Sequence, residues 1–116
     1  MKYLNTLILD DDTFIQDVLK YYLEKQSHVY LASRYEEASE ILKAEDVHIM
    51  FLDIQLGDTN GLELLKEFKA TYPELEIIMI SGHTSFENAR EAMRNNASDF
   101  IAKPIKRADI LRALER

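Results

Sequence analysis

The 116-residue sequence has no cysteine, which excludes disulfides and thiolate metal sites and agrees with a reducing compartment. Long apolar runs are also missing. The longest, such as Leu7-Ile8-Leu9 and Ile49 to Leu52, fall far short of the roughly 20 residues needed to cross a bilayer. The start Met1-Lys2-Tyr3-Leu4-Asn5 has one basic residue and no extended apolar region, so it does not read as a signal peptide, and a cytoplasmic location away from membranes is expected. Basic residues are the minority, 14 Lys and Arg against 21 Asp and Glu, for a net charge of −7. Nucleic-acid binding depends on Lys and Arg neutralising phosphates, so no direct nucleic-acid binding is expected of this domain. Pro-, Gly- or Ser-rich tracts, repeats and low-complexity stretches are absent. What remains, 47% hydrophobic and 30% charged residues, is the composition of one globular domain over residues 1–116.

What is present is a repeated strand-then-helix pattern. Leu4 to Leu9 is a mainly apolar run, and Thr13-Phe14-Ile15-Gln16 has the T-x-x-Q form of a capping box. Phe14, Val18, Leu19, Tyr22 and Leu23 then recur at helical spacing. Val29 to Ala32 reads as a second strand, Ser33-Arg34-Tyr35-Glu36 as a second capping box, and Ala38, Ile41 and Leu42 as the apolar face of the following helix. Val47 to Leu52 precedes a helix over Gly61 to Ala70 that Tyr72-Pro73 ends, and Ile77 to Ile80 precedes a helix over Ser85 to Asn95 with Phe86, Ala89 and Met93 on its apolar face. Phe100-Ile101-Ala102 and the segment from Lys106 complete five βα units. The first, third and fourth strands are continuously apolar, as expected when helices cover both faces of a parallel sheet. The fold class is therefore α/β, a single doubly wound (βα)5 domain.

The strand ends carry the chemistry. The first strand runs into Asp10-Asp11-Asp12, the third into Asp53, the fourth into Ser81-Gly82 and the fifth into Lys103-Pro104. In open α/β sheets ligands bind at the carboxyl ends, at the point where helices change face. Assuming the strand order 2-1-3-4-5, Asp10, Asp11, Asp53 and Ser81 come within reach of one another. Clustered carboxylates repel unless a cation joins them or a pKa rises. Oxygen ligands without His or Cys suit Mg²⁺, and Lys103 adds a second positive charge. A lone Asp after a strand also serves simply to solvate a loop; the set of strand ends together points to a site.

Leu-Ile-Leu-Asp-Asp-Asp at 7 to 12, Phe-Leu-Asp-Ile at 51 to 54, Gly-Leu-Glu-Leu-Leu at 61 to 65, Ile-Ser-Gly-His at 80 to 83 and Phe-Ile-Ala-Lys-Pro at 100 to 104, in this order, resemble the receiver domain of two-component response regulators. The match covers essentially the whole chain. The resemblance implies a flavodoxin-like fold and a phosphorylation-controlled signalling switch, not an enzyme, although it assists its own phosphorylation and dephosphorylation. It makes Asp53 the phosphoacceptor, with Mg²⁺ (or Mn²⁺) held by Asp11, Asp53 and the backbone carbonyl of Gln55 and reached by Asp10 mainly through water. Asp12 is not counted as a ligand. Ser81 and Phe100 take the switch positions, Lys103 the lysine position, and Gln55 and His83 positions that tune the lifetime of the aspartyl phosphate. The implied donor is a phosphohistidine on a sensor histidine kinase or phosphotransfer protein. A C-terminal effector domain and a homodimer through the last two helices and the strand between them, a face carrying Arg90, Arg94, Asp99, Arg107 and Arg112, are further implied partners.

This chemistry is sound on first principles. A carboxylate is already ionised at pH 7 and needs no general base to attack phosphorus. Metal, Lys103, the Ser81 hydroxyl and backbone N–H groups after Asp53 suit the equatorial oxygens of an in-line transfer. Lys103-Pro104 is a candidate cis peptide. Two positions depart from the family pattern: Gly57 stands where Pro is frequent and is expected to loosen its loop, and Asn96 stands where Gly is common, at a left-handed helix end. One rival is a haloacid-dehalogenase-type phosphatase with Asp10 as nucleophile and Asp12 as acid/base, but Phe14 replaces the expected Thr or Val and the chain has no room for a cap. A pseudo-receiver acting only as an interaction module is the other.

Overall fold

The computed structural model describes residues 4–82 and 86–115. Along the chain lie β1 (Leu4–Leu9), α1 (Thr13–Leu23), β2 (Ser27–Ala32), α2 (Tyr35–Ala44), β3 (Ile49–Asp53), β4 (Gln55–Leu56), β5 (Thr59–Asn60), α3 (Gly61–Thr71), β6 (Glu76–Ser81), α4 (Phe86–Arg94), β7 (Asp99–Ala102) and α5 (Arg107–Leu114). Five strands pair in parallel in the order β2-β1-β3-β6-β7, which is the expected 2-1-3-4-5 arrangement once the short β4-β5 hairpin is set aside.

Alternation along each central strand sends neighbouring side chains to opposite faces. Leu7, Leu9, Met50, Leu52, Ile77 and Met79 pack with Leu42, Leu65 and Phe68 of α2 and α3 and with Ala92 of α4. Ile8, Phe51, Ile78 and Ile80 pack on the other face with Leu19 and Leu23 of α1 and Ile110 of α5. Both faces are covered, which is why these strands read as unbroken apolar runs. The helices change face between β1 and β3, and the crevice at their carboxyl ends is where the acidic residues fall.

Several local expectations need correction. The N-cap of α1 is Asp12, whose side chain accepts the Phe14 N–H, so Thr13 lies inside the helix. Gln16 closes no capping box: its amide is buried and donates to the carbonyls of Asp10 (2.7 Å) and Ala32 (3.1 Å), tying the ends of β1 and β2 together. The buried face of α1 is Ile15, Gln16, Leu19 and Leu23, and Phe14 is 70% exposed, because each residue turns about 100° and Phe14 lies one step off the stripe. On α2 the cap position is Arg34 with no side-chain cap bond, and Glu37 rather than Glu36 reaches back to accept the Ser33 N–H. On α4, Ala92 is the buried residue, whereas Phe86 and Met93 are exposed. As expected, Asn96 adopts the left-handed conformation (φ 71°) and Lys103-Pro104 is cis.

Candidate functional site

Each site residue is placed by backbone pairing in the sheet. The Asp10 N–H bonds the Ala32 carbonyl (3.1 Å), continuing β1 one step past its last paired residue. Asp53 is the last residue of β3, and the next N–H, of Ile54, bonds the Ile80 carbonyl at 2.9 Å. Ser81 ends β6 and pairs with Ala102, and the Lys103 N–H bonds the Ser81 carbonyl at 2.8 Å. Four strand ends are thereby brought to one crevice. A cleft of about 380 Å³ is lined by Asp11, Asp53, Ile54, Gln55, Gly57, Ser81, Gly82, Asn88 and Lys103.

Asp10 is fully buried and Asp53 is 5% exposed, whereas Asp11 stands at the surface. Carboxylate oxygens of the three lie within 4.8 Å of one another. Lys103 Nζ sits 3.3 Å from Asp10 Oδ2 and 3.6 Å from Asp53 Oδ2, and so balances part of the negative charge. Asp10 Oδ1 accepts the Asp12 N–H (2.9 Å), and Asp53 Oδ1 accepts the Gln55 N–H (3.3 Å). Burial, helped by the charge of Asp53, pushes the Asp10 carboxyl up to about 6, against the pull of the Asp12 N–H and Lys103. Burial also raises Asp53, against the Gln55 N–H and Lys103.

The arrangement fits a hard divalent cation. Among the described residues, Asp10 Oδ2 is a buried side-chain oxygen with no hydrogen-bond partner, and the converging ligand atoms are all carboxylate oxygens. A cation would offset the cost of burying these charges, which is the main cause of both raised pKa values. Asp12 takes no part in the cluster, because its carboxylate caps α1. Nor does it stand as the acid/base partner that a phosphatase based on Asp10 requires.

Phe100 lies on β7, half-buried against the core on the side of α2, α3 and α4. His83 lies outside the described residues. Two contributors were not read from the sequence. Asn88 enters the cleft from α4, an element that the strand-end argument does not cover. Gly57 donates its N–H to Asp11 Oδ2 at 3.0 Å, a contact across 46 residues that only folding creates. Its φ of +56° lies in the left-handed region, where glycine is unstrained. The expected loosened loop is instead a hairpin, with Gln55 opposite Asn60 and Leu56 opposite Thr59.

A five-stranded parallel sheet with an acidic crevice and a lysine at the carboxyl ends defines a class: a doubly wound α/β domain with its charged crevice at the switch point of the sheet. Comparison with known proteins narrows it. The model of the response regulator receiver domain matches residues 6–115, and the chain belongs to that family. The DNA-binding transcriptional regulator NtrC of Proteus hauseri is 32% identical over 115 residues, which cover 97% of this chain and 24% of that protein. The chain spans about a quarter of the length of the first curated relatives it matches. A CheY-like receiver domain protein from Methanospirillum hungatei superposes with a TM-score of 0.88 at 31% identity, over 98% of this chain and 92% of that one. A response regulator from Burkholderia pseudomallei, solved with a phosphorylated aspartic acid, calcium ion and citrate, gives 0.87 at 29% identity, over 96% of this chain and 66% of that one. No described helix is long and apolar enough to cross a membrane.

Proposed function

We propose that residues 1–116 form one receiver domain that accepts a phosphoryl group on Asp53 from a phosphohistidine of a sensor histidine kinase or phosphotransfer protein. The observation that carries this reading is Asp53 itself, held at the end of β3 beside the Lys103 ammonium, with Asp10 and Asp11 grouped around it. An Asp53 oxygen attacks phosphorus in line, the bond to the imidazole nitrogen breaks, and the imidazole leaves with the bonding pair. Lys103 donates to a phosphoryl oxygen, and the Ser81 hydroxyl, buried at the end of β6, turns to donate to another. Asp11, Asp53 and the Gln55 carbonyl, with Asp10 mainly through water, would hold Mg²⁺ or Mn²⁺, which would supply charge neutralisation for the transferring group.

Movement of Ser81 toward the phosphoryl group opens space for Phe100 and shifts the population between two packings of the β6-α4-β7 region. Hydrolysis of the mixed anhydride resets the switch, at a rate that Gln55 and His83 tune. The output passes to an effector domain or separate partner, or to a second copy through the face of α4, β7 and α5. The working location is the cytoplasm.

The test is intact-mass spectrometry after incubation with acetyl phosphate or phosphoramidate and Mg²⁺. One added phosphoryl group is expected, absent with chelator and absent in Asp53→Asn. Addition that persists in Asp53→Asn places the acceptor on another residue, and addition that never occurs makes the domain an interaction module instead.

A further inference from the structure

The segment between Asp53 and α3 is fixed at both ends. At its base the Gly61 N–H bonds the Ile54 carbonyl at 2.6 Å. A Cβ at Gly61 would collide with the Asp53 carbonyl oxygen and come within 2.7 Å of Ile54 Cα, so only glycine lets α3 start this close to the end of β3. Asn60 caps α3 by accepting the Leu62 N–H (2.9 Å), and Leu56 is buried in the core beneath the hairpin. At the tip, the turn Gly57-Asp58 has a positive φ at its first residue only, the pattern of a type II′ turn. This turn aims the Gly57 N–H at Asp11 Oδ2, and among the described residues it is the only donor to that carboxylate.

We propose that the Gly57 N–H is a positioning group for the metal ligand Asp11, with the β4-β5 hairpin as the arm that carries it. The proposal rests on the metal-assisted reading of the site. Asp11 is exposed and would otherwise lose rotamer freedom when it takes up a cation; the hydrogen bond pre-sets its carboxylate and leaves further lone pairs for the metal. Outer-sphere hydrogen bonds of this kind commonly change metal affinity by about 10- to 100-fold. The same bond links cation occupancy to the hairpin, and through Gly61 to the start of α3.

Gly57→Pro removes the N–H and, with φ fixed at about −65°, also the turn that aims it, whereas Gly57→Asn keeps the N–H in a residue that tolerates positive φ. Calorimetric titration with Mg²⁺ is expected to show affinity about tenfold or more weaker in Gly57→Pro and within about twofold of the parent in Gly57→Asn. Amide hydrogen exchange of the unaltered protein should show Gly57 protected with and without Mg²⁺, a reading independent of whether the proline variant folds. Equal affinity in a folded Gly57→Pro, or an unprotected Gly57 amide, overturns the positioning role. Failure of the unaltered protein to bind Mg²⁺ while its Gly57 amide is protected overturns the metal-site reading, and this proposal with it.

Discussion

At Asp10, burial beside the Asp53 charge leaves a carboxyl whose ordinary value of 3.8 rises to about 6 in the fold. Between these two pH values the folded chain holds a proton that the unfolded chain has released, so rising pH favours unfolding. In chelator, the stabilising contribution of this group is complete below pH 3.8 and is lost as pH climbs through 6, by about 3 kcal/mol at 1.36 kcal/mol per pKa unit. Asp10→Asn removes this dependence. In EDTA the variant should gain on the parent by roughly 2 to 3 kcal/mol between pH 4 and 7.5 in urea unfolding, and it should bind Mg²⁺ poorly. A stability difference that is the same at both pH values would show that Asp10 is ionised throughout.

At the scale of elements, the site depends on how strand ends are held. Gln16 links the carbonyls that end β1 and β2 from inside α1. Gln16→Leu preserves the volume but takes the amide donor from both carbonyls, leaving that of Ala32 with only the Asp10 N–H, and a loss of about 1 to 3 kcal/mol is expected in denaturant unfolding. Less than about 0.5 kcal/mol would mean that water replaces the amide. Gly61→Ala forces the start of α3 away from Asp53 and Ile54, and a cost of about 1 to 3 kcal/mol is expected, accompanied by chemical-shift changes at Asp53 and Gly57. By contrast, Phe86→Ser on α4 removes an exposed ring and should change stability by no more than about 0.5 kcal/mol. On the far side of the sheet edge, Arg112 of α5 reaches Asp99 of β7 at 3.1 Å and Asp109 at 3.3 Å. Part of the charged face expected to meet partners is therefore paired within the domain itself.

Across the whole molecule, two apolar layers sandwich a parallel sheet, and the buried carboxylates Asp10 and Asp53 lie at its carboxyl edge. Cation binding at that edge should stabilise the entire domain by mass action, so the melting temperature at pH 7.5 should rise steadily with Mg²⁺ concentration. The rise should vanish in Asp53→Asn or Asp10→Asn if these side chains hold the ion; an unchanged rise would place the ion elsewhere. With a net charge of −7, the isolated domain should not retard duplex DNA in a gel at low salt, where electrostatic binding is strongest.

The sequence by itself determined the five βα units, the parallel and doubly covered sheet, and the gathering of Asp10, Asp11, Asp53, Ser81 and Lys103 at strand ends. These follow from short-range periodicity and from the rule that such sheets bind ligands at their carboxyl edge, both written in adjacent residues. It did not reveal that Asp12 rather than Thr13 caps α1, that Phe14 turns outward while Ile15 turns in, or that Gln16 joins two strands. Each of these depends on a helix rotation of one residue, about 100°, which only packing against Phe51 and its neighbours selects. Nor could it show Gly57 reaching Asp11, because a hydrogen bond across 46 positions exists only after β1 and β3 have paired. Local pattern named the residues of the site; tertiary packing decided which carboxylate is buried, which is exposed and which backbone N–H holds it.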